Sequence, residues 1–526
     1  MSQSGEATLD ASGRMRLPSR TKIVATIGPA SDSPEMVRRL IEAGVNIFRF
    51  NFSHGTLEDH ARRLGVVRKA QAELGVQVAC LGDLAGPKIR LGQMPEAGIE
   101  FEAGSDVLLL RDASSIGGVG TVRDGVVHAP INYAAMIDEV HPGQRVLIND
   151  GAVRMLAVER APDGSSLRCR VTVGGLVTSR KGINLPESDV RVEAVTEKDW
   201  ACVAWAVEHG LDFLALSFVR RAEDVLLLKD RLAGMCAIDR ERSEVEGSAI
   251  PVVAKIETPR ALENIEAIVE ATDAVMVARG DLGVEMDIAR VPVEQKRILR
   301  ASDAWGKPCI VATQMLESMI TSATPTRAEA GDVATAIFDG ADAVMLSAET
   351  ATGKHPALVV ETMRRIARFA EDAVDERDQY PTPPARMVAQ RHRTASLAHG
   401  AWDIAHDIGA RVIACWSQRG GTARFLSQTG FQAPIVAYTS SEREARRMCL
   451  MRGVTPVVTP PPESGALADW HRQVERDLLR WGWVAKGDYV VLAAGRPLGQ
   501  AKSTNSVTAL KVGDHIAGGP QGDPAR

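Results

Sequence analysis

The sequence predicts a (β/α)8 barrel that carries an inserted β-rich lid domain and is followed by a C-terminal α/β domain. The chain has 526 residues, which is too long for one ordinary globular domain. Eight short apolar runs alternate with helical patterns along the chain. Their apolar content is continuous, as expected for parallel strands that are covered on both faces. Eight strand-and-helix units are the number that closes such a barrel.

The predicted barrel strands are the segments at residues 22–27, 46–53, 76–83, 213–218, 252–257, 274–278, 308–313 and 343–347. The segments between them carry helix signals. In the first of these, Ser33 is a capping residue, Pro34 suits the first helical position, and Gly44 ends the helix.

The pattern changes between the third and fourth strands. Glycine-rich turns separate short apolar or alternating runs at residues 107–110, 145–148 and 166–173, which predict an inserted β domain. The insert leaves from the carboxyl end of the third strand, where barrel active sites lie. We therefore expect it to act as a lid, with hinges at residues 90–92 and 186.

A third domain follows the barrel. After about residue 375, a proline-containing stretch leads into helices that alternate with predicted strands at 411–416, 434–438, 454–458 and 489–494. The predicted boundaries are an N-terminal segment at 1–20, the barrel at 21–87 and 187–370, the lid at 88–186, a C-terminal α/β regulatory domain at 371–517 and a disordered tail at 518–526.

Composition narrows the class of protein. The 67 acidic and 62 basic residues give a net charge of −5, which argues against a nucleic-acid partner. The hydrophobic fraction of 45% is that of a folded chain. We find no apolar run long enough to span a bilayer and no signal-peptide core, so we expect a cytoplasmic enzyme. The 7 cysteines, never spaced as CxxC, are interpreted as reduced core residues.

Polar residues stand at the carboxyl ends of most of the predicted strands, where side chains of a barrel converge on one mouth. They are Arg49, Asn51 and Ser53 on one face of the second strand, Asp83 on the third, Lys255 and Glu257 on the fifth, Asp281 after the sixth, Thr313 on the seventh, and Ser347 and Glu349 at the eighth. Any one of them could be a solvated loop group, but their recurrence predicts a catalytic site.

The residue types indicate phosphate chemistry. Glu257 and Asp281 follow neighbouring strands and suit an oxygen-ligated Mg²⁺, which takes one or two protein carboxylates. Lys255 and Arg49 are cations for an anionic substrate. The turn at 280–283 leads into a helix whose backbone N–H groups suit a carboxylate or phosphate. The alternative is that these four residues form an ordinary tight turn without a ligand.

The usual nucleotide motifs are absent from the sequence. Residues 351–355 resemble the end of a P-loop, but Ala348 stands where a glycine is needed and His355 where Ser or Thr is needed. We find no HRD or DFG motif and no GxGxxG after a strand, so protein kinases and Rossmann dehydrogenases are excluded. Phosphoryl transfer by another scaffold remains open.

Eight motifs of this chain resemble the pyruvate kinase family. They are TKIVATIGPAS at 21–31, RFNFSHG at 49–55, GPKIR at 86–90, KGINLP at 181–186, KIE at 255–257, ARGDLG at 278–283, ATQMLESM at 312–319 and SAET at 347–350. The resemblance covers the barrel and both lid hinges, whereas the C-terminal domain is similar in pattern more than in motif.

The resemblance implies transfer of a phosphoryl group from phosphoenolpyruvate to ADP, giving pyruvate and ATP in the last step of glycolysis. It implies Mg²⁺, for which Mn²⁺ can substitute, on Glu257 and Asp281. The catalytic residues would be Lys255, Arg49 and Thr313. The implied substrate contacts are Arg49, Lys255, Gly280, Asp281, Thr313, Ser347 and Glu349, and the implied ADP contacts are Asn51, His54, Arg90 and Lys181.

The resemblance also bears on monovalent cations. Family members that need K⁺ hold it with residues matching Asn51, Ser53, Asp83 and the carbonyl of Leu84, and they read GPEIR where this chain has Lys88. We expect the Lys88 ammonium to replace the cation, so that K⁺ is not required. The simpler alternative is that Lys88 points to solvent from the hinge.

Regulation and assembly follow from the resemblance alone. Activation of eukaryotic members by fructose 1,6-bisphosphate depends on a Ser/Thr-rich loop, from which residues 416–424 depart, although Ser417, Arg419 and Thr422 could still hold a phosphate. We expect a phosphorylated effector of another kind, and a homotetramer. The alternatives for the whole chain are a barrel aldolase or lyase acting on pyruvate-like enolates, and a catalytically idle binding protein.

Overall fold

The computed structural model describes residues 17–242, 249–375, 383–430, 433–500 and 504–514, and a closed parallel barrel lies at its centre. The first part of the barrel consists of β1 (Lys22–Thr26), α1 (Pro34–Ala43), β2 (Ile47–Asn51), α2 (Leu57–Leu74) and β3 (Ala79–Asp83). The Ser33 side chain caps α1 and Gly44, at φ 123, ends it, so this helix is confirmed. The predicted tail at 518–526 and residues 1–16 of the predicted N-terminal segment lie outside the described residues.

A β-rich domain follows β3. Its elements are β4 (Ile99–Phe101), β5 (Asp106–Leu110), β6 (Thr121–Arg123), β7 (Val126–Pro130), α3 (Met136–Glu139), β8 (Arg145–Ile148), β9 (Val153–Arg160), β10 (Ser166–Val173), β11 (Gly175–Val177) and β12 (Ile183–Asn184). One sheet has the order β12-β8-β9-β10-β5-β7-β6, and β11 pairs with β4. The two connections to the barrel pair with each other where Arg90 lies opposite Gly182. The domain therefore hangs from a narrow two-stranded hinge, as a lid requires.

The chain then returns to the barrel. The elements are α4 (Glu197–Glu208), β13 (Phe213–Leu216), α5 (Ala222–Arg242), β14 (Val252–Ile256), α6 (Pro259–Glu263), α7 (Ile265–Ala271), β15 (Ala274–Ala278), α8 (Arg279–Glu285), α9 (Val291–Ala304), β16 (Cys309–Ala312), α10 (Arg327–Phe338), β17 (Ala343–Leu346), α11 (Ala348–Ala351) and α12 (Pro356–Asp375). The closed order β1-β17-β16-β15-β14-β13-β3-β2 confirms all eight predicted strands. Several strands end before the predicted residue because the polar residues at the mouth leave the hydrogen-bonded ladder.

The C-terminal domain is a second α/β unit. It contains α13 (Ala385–Ala389), α14 (Arg393–Asp407), β18 (Val412–Trp416), α15 (Gly421–Gln428), β19 (Ile435–Thr439), α16 (Glu442–Met448), β20 (Val454–Val458), α17 (Leu467–Arg480), β21 (Tyr489–Gly495) and β22 (Thr504–Lys511). The sheet order is β20-β19-β18-β21-β22. The edge strand β22 was absent from the prediction because its residues are mostly polar and partly exposed, so it lacks the continuous apolar run of the other four.

This domain docks on the amino ends of the barrel strands. The Lys22 Nζ, at the start of β1, donates to the carbonyl of Val454 at 2.7 Å. Asp212, just before β13, forms a 2.8 Å ion pair with Arg446. Because parallel strands share one amino end, the docking leaves the opposite, carboxyl end of the barrel free for the lid. No helix in the described ranges combines the length and apolar character that crossing a membrane requires.

Candidate active site

Four charged residues predicted from the sequence meet at the carboxyl end of the barrel. Arg49 on β2 forms an ion pair with Asp83 on β3, with 2.6 Å between Nε and Oδ2. The Lys255 Nζ lies 2.8 Å from Glu257 Oε1 and 3.4 Å from Asp83 Oδ1. Asp83 and Glu257 are each only 1% exposed. The strand ends therefore place two cations and two carboxylates in one buried cluster.

The electrostatics of this cluster keep Lys255 charged. Burial would lower the pKa of Lys255, but the carboxylates of Asp83, Glu257 and Asp281 outweigh burial and raise it. Burial would also raise the pKa of Asp83, and Lys255 and Arg49 reverse that effect and lower it. The Lys255 ammonium thus remains cationic at the mouth, where it can attract an anionic substrate.

Glu257 and Asp281 are the carboxylates that fit a divalent cation. Burial raises the pKa of Glu257 to about 7, and the nearby Asp281 adds to the effect while Lys255 opposes it. Asp281 is half-buried in the first turn of α8 and makes no hydrogen bond or ion pair within the described part of the chain. A buried carboxylate on Glu257 and a carboxylate on Asp281 that has no partner among the described residues suit a hard cation with oxygen ligands, as Mg²⁺ is.

Thr313 lies beside the start of α8. Its hydroxyl accepts a hydrogen bond of 2.8 Å from the backbone N–H of Gly280 and donates to the carbonyl of Ala312 at 2.6 Å. Thr313 and Gln314 both adopt left-handed backbone conformations, with φ of 68° and 53°. Such a conformation costs a non-glycine residue roughly 1 to 3 kcal/mol and is typical of functional sites. A Cβ on residue 280 would lie 3.3 Å from the Thr313 hydroxyl, a tight contact that glycine avoids.

Ser347 and Glu349 directly follow the eighth barrel strand, β17, at the start of α11. The Glu349 carboxylate is 2% exposed and accepts hydrogen bonds from the backbone N–H groups of Ser347 and Leu316, at 2.6 and 3.3 Å. This carboxylate therefore joins the loops after β16 and β17. Its contact with a substrate stays a prediction.

The residues predicted to contact ADP lie at the end of β2, on the loop after it, and on the lid hinge. The Asn51 side chain accepts from the backbone N–H of Ser53 at 3.1 Å, and His54 is exposed on the same loop. On the hinge, Arg90 donates to the carbonyl of Arg180 at 2.9 Å, next to Lys181. The structure places the two groups on separate elements, and their common contact with ADP stays a prediction.

Lys88 and Leu84 lie between the barrel and the hinge. Lys88 is exposed, and its Cε lies 3.4 Å from the position that a Cβ on Gly182 would occupy, so the side chain runs along the opposite hinge strand. The Leu84 carbonyl accepts a 2.7 Å hydrogen bond from the hydroxyl of Ser217. No ion pair of Lys88 occurs in the described ranges.

Sequence reasoning missed Ser217. Its hydroxyl accepts from the Lys255 Nζ at 2.8 Å and so joins Lys255 to the Leu84 carbonyl. Ser217 is neutral and follows the apolar run of β13, so it carries no charge signal; its place at a strand end was the only clue. Sequence reasoning also missed the hydrogen bond of 2.7 Å from Asn184 of the lid to the buried Glu285 of α8. These two residues line a cleft of about 760 Å³ between the lid and the barrel.

Comparison with known families gives matches to two family models. "Pyruvate kinase, barrel domain" matches residues 18–360, and "Pyruvate kinase, alpha/beta domain" matches residues 395–509. Together these matches cover the barrel, the lid and most of the C-terminal domain.

Individual relatives agree with the family models. The chain is 40% identical over 495 residues to the pyruvate kinase of Corynebacterium glutamicum, covering 94% of this chain and 98% of the relative. It is 37% identical over 494 residues to the pyruvate kinase of Thermotoga maritima, covering 94% of this chain and 99% of the relative. The crystal structure of a pyruvate kinase from Cryptosporidium parvum superposes with a TM-score of 0.83 at 30% identity, covering 94% of this chain and 96% of that one.

Proposed function

Since the chain belongs to the pyruvate kinase family and transfers the phosphoryl group of phosphoenolpyruvate to ADP in the last step of glycolysis, we propose that the cluster at the barrel mouth is its active site. The observation that carries the proposal is the buried contact of Lys255 with Glu257 and Asp83, with Arg49 beside them. These groups combine fixed positive charge with carboxylates that suit a metal.

Glu257 and Asp281 are the proposed ligands of Mg²⁺, and Mn²⁺ can take its place. When bound, the ion supplies positive charge to the carboxylate and enolate oxygens of the substrate. One proposed ligand, Glu257, directly follows β14 and the other, Asp281, lies on α8, and these two elements belong to consecutive barrel units. The family generally uses Mg²⁺, and the donor set of two carboxylates fits that ion.

Lys255 and Arg49 are the proposed contacts of the phosphoryl group. Phosphoryl transfer depends mainly on positioning and on neutralising the charge of the group in flight. Lys255 is held by hydrogen bonds to Ser217 and Glu257, so its charge is in place before the substrate arrives. Thr313, with the N–H groups of residues 280–281, would hold the substrate carboxylate and lie near the face where the enolate carbon is protonated.

Asn51, His54, Arg90 and Lys181 are the proposed contacts of the ADP phosphates, and Ser347 and Glu349 complete the wall of the site. Closing the lid would bring Arg90 and Lys181 over the mouth. Excluding water matters because water competes with ADP as the phosphoryl acceptor and weakens charge interactions. An aldolase or lyase acting on an enolate would need neither the lid nor Lys181.

The test is a coupled assay for ATP formation from phosphoenolpyruvate and ADP, run with the purified chain and Mg²⁺. ATP formation that depends on both substrates is the expected result. Cleavage of a carbon–carbon bond without ATP formation would support the lyase, and binding without turnover would support the idle protein.

We predict that the enzyme does not need K⁺. Lys88 carries a positive charge where K⁺-dependent members have Glu, a reversal of two charge units in the segment that joins Leu84 to the lid hinge. In buffer free of Na⁺ and K⁺, with ionic strength held by a bulky quaternary ammonium salt, adding about 0.1 M KCl should leave the rate nearly unchanged. Replacing Lys88 with Glu should create a K⁺ requirement.

The matched control is Lys69→Glu, the same charge reversal on the exposed face of α2. This variant should stay independent of K⁺. A rise of tenfold or more on adding K⁺ to the unmodified enzyme would show that Lys88 does not replace the cation.

We also predict that the C-terminal domain binds a phosphorylated effector and that fructose 1,6-bisphosphate is not a strong activator. In the loop before α15, the Ser417 hydroxyl accepts from the N–H of Ala423 at 3.1 Å, and the Thr422 hydroxyl is buried against Thr504 at 2.6 Å. Arg419 is exposed. Saturation curves for phosphoenolpyruvate with a panel of sugar phosphates and nucleotides should reveal the effector. Tight calorimetric binding of fructose 1,6-bisphosphate, coupled to a large shift in substrate affinity, would refute the prediction.

Assembly and location complete the proposal. Exposed apolar side chains on the outer barrel elements, among them Ile288, Val293 and Phe369, are suited to subunit contacts, in keeping with a homotetramer. The six described cysteines are buried and unpaired. Free thiols are typical of a reducing compartment, which supports a cytoplasmic location.

A further inference from the structure

Arg279, the first residue of α8, joins three elements around the Thr313 turn. It is 9% exposed. Its Nη2 donates to the carbonyls of Thr313 and Gln314, at 2.8 and 3.1 Å, and contacts the sulfur of Met315 at 2.8 Å. Its Nη1 forms an ion pair of 2.6 Å with Asp332 on α10. The guanidinium thus binds consecutive residues of one turn through Nη2, and Asp332 of α10 holds it through Nη1.

The turn that Arg279 grips needs an external support. Thr313 and Gln314 have φ of 68° and 53°, and neither is glycine. The left-handed region is unfavourable for a β-branched residue such as Thr, because Cβ crowds the backbone. Without the hydrogen bonds from Arg279, the two carbonyls would be free to rotate towards the ordinary right-handed or extended conformations.

The Thr313 hydroxyl is held as well as the Thr313 carbonyl. The Thr313 hydroxyl is held between the N–H of Gly280 and the carbonyl of Ala312. Arg279 and Gly280 are adjacent in the chain. The Arg279 side chain binds the Thr313 carbonyl, and the Gly280 N–H binds the Thr313 hydroxyl. Any shift of the turn would therefore change where the hydroxyl points.

We propose that Arg279 is a positioning residue for the reaction, which keeps the strained Thr313 turn in the conformation that presents the Thr313 hydroxyl to the substrate. Arg279 acts through Thr313 and does not touch the substrate itself. The proposal rests on the role given to Thr313 under Proposed function. Lys in place of Arg279 would keep the positive charge but lose the planar fork that reaches Asp332 and two carbonyls at once.

A double-mutant cycle of Arg279→Lys and Thr313→Ala tests this coupling through kcat and KM. Alone, Arg279→Lys should lower kcat by roughly tenfold or more and change KM for ADP less than about twofold. Thr313→Ala should lower kcat by at least as much. Because both act on one hydroxyl, the double variant should match Thr313→Ala within about twofold. If the double variant instead lost kcat by the product of the two single-variant losses, the proposal would be overturned.

A loss of folding must be separated from a loss of positioning. Asp332→Asn keeps Arg279 and weakens only its ion pair, so it can replace Arg279→Lys in the test if that variant does not fold. Asp332→Asn should lower kcat less than Arg279→Lys does. Combined with Thr313→Ala, it should cause no further loss of kcat. Unchanged kcat in both variants would contradict the proposal.

The matched control is Arg68→Lys. Arg68 forms a 2.8 Å ion pair with the buried Asp212 and donates to the carbonyls of Val78 and Gly210 at the opposite end of the barrel. Arg68→Lys should unfold at a lower temperature with kcat unchanged. If its kcat fell as much as that of Arg279→Lys, the effect of Arg279→Lys would be only structural. If Thr313→Ala itself leaves kcat unchanged, the role of Thr313 under Proposed function fails. If Thr313→Ala lowers kcat but its loss multiplies with that of Arg279→Lys, the inference about Arg279 fails while the role of Thr313 stands.

Discussion

Replacing Lys255 with Met should lower the turnover number for ATP formation by roughly 100- to 1,000-fold, because it removes the charge that offsets the migrating phosphoryl group. Met keeps much of the side-chain volume. Asp83 retains its 2.6 Å ion pair with Arg49, and Glu257 has a pKa raised to about 7, so the neutral form of its carboxyl is accessible without the lysine. We therefore expect the variant to fold. The measurement is steady-state kinetics with circular dichroism and thermal unfolding of both proteins.

Lys22→Met is the matched control for this variant. Lys22 is also a buried lysine, but its Nζ donates to the Val454 carbonyl at the opposite end of the barrel. Its replacement should weaken the docking of the C-terminal domain and leave turnover at saturating substrate within about twofold. A loss of less than tenfold in Lys255→Met would remove Lys255 from the proposed mechanism.

Glu257→Gln and Asp281→Asn should each raise the Mg²⁺ concentration for half-maximal activity by roughly tenfold or more, because each variant removes an anionic ligand of a hard cation. The amide side chains keep the shape of the carboxylates, so the loss of charge is the main change. The measurement is a titration of activity against free Mg²⁺ at fixed phosphoenolpyruvate and ADP.

Glu285→Gln is the control for the metal titration. Glu285 is a buried carboxyl one helical turn after Asp281 on α8, but it accepts its hydrogen bond from Asn184 of the lid. This variant should leave the Mg²⁺ titration within about twofold. An unchanged titration in Glu257→Gln and Asp281→Asn would count against both as ligands.

The barrel and its mouth were predictable because parallel strands put simple constraints on sequence. Strands covered on both faces must be apolar along their length, and their carboxyl ends must lie together. The alternation in β2 was read correctly, since Phe48 and Phe50 are buried while Arg49 and Asn51 are half-buried. The contact of Lys255 with Glu257 and Asp83 follows from the same geometry.

Other parts of the site left no signal in the sequence. Thr and Gln do not favour left-handed backbone, so the turn at Thr313 and Gln314 could not be foreseen from their types. Ser217 contributes through a neutral hydroxyl. Glu349 was predicted as a site residue, but the bond that its carboxylate accepts from a backbone N–H group was not. The pair of Arg279 with Asp332 joins residues 53 positions apart on different elements. Such contacts depend on tertiary packing, which no local pattern encodes.

The assignment of the barrel mouth as the active site is tested most directly by locating the metal. Crystals grown with Mn²⁺ and oxalate, a planar dianion that resembles the enolate of pyruvate, can be measured for anomalous scattering from manganese. We expect a peak within about 2.5 Å of carboxylate oxygens of both Glu257 and Asp281, with oxalate beside Lys255 and Thr313. A manganese peak away from these carboxylates, with oxalate bound elsewhere, would contradict the assignment of the barrel mouth as the active site.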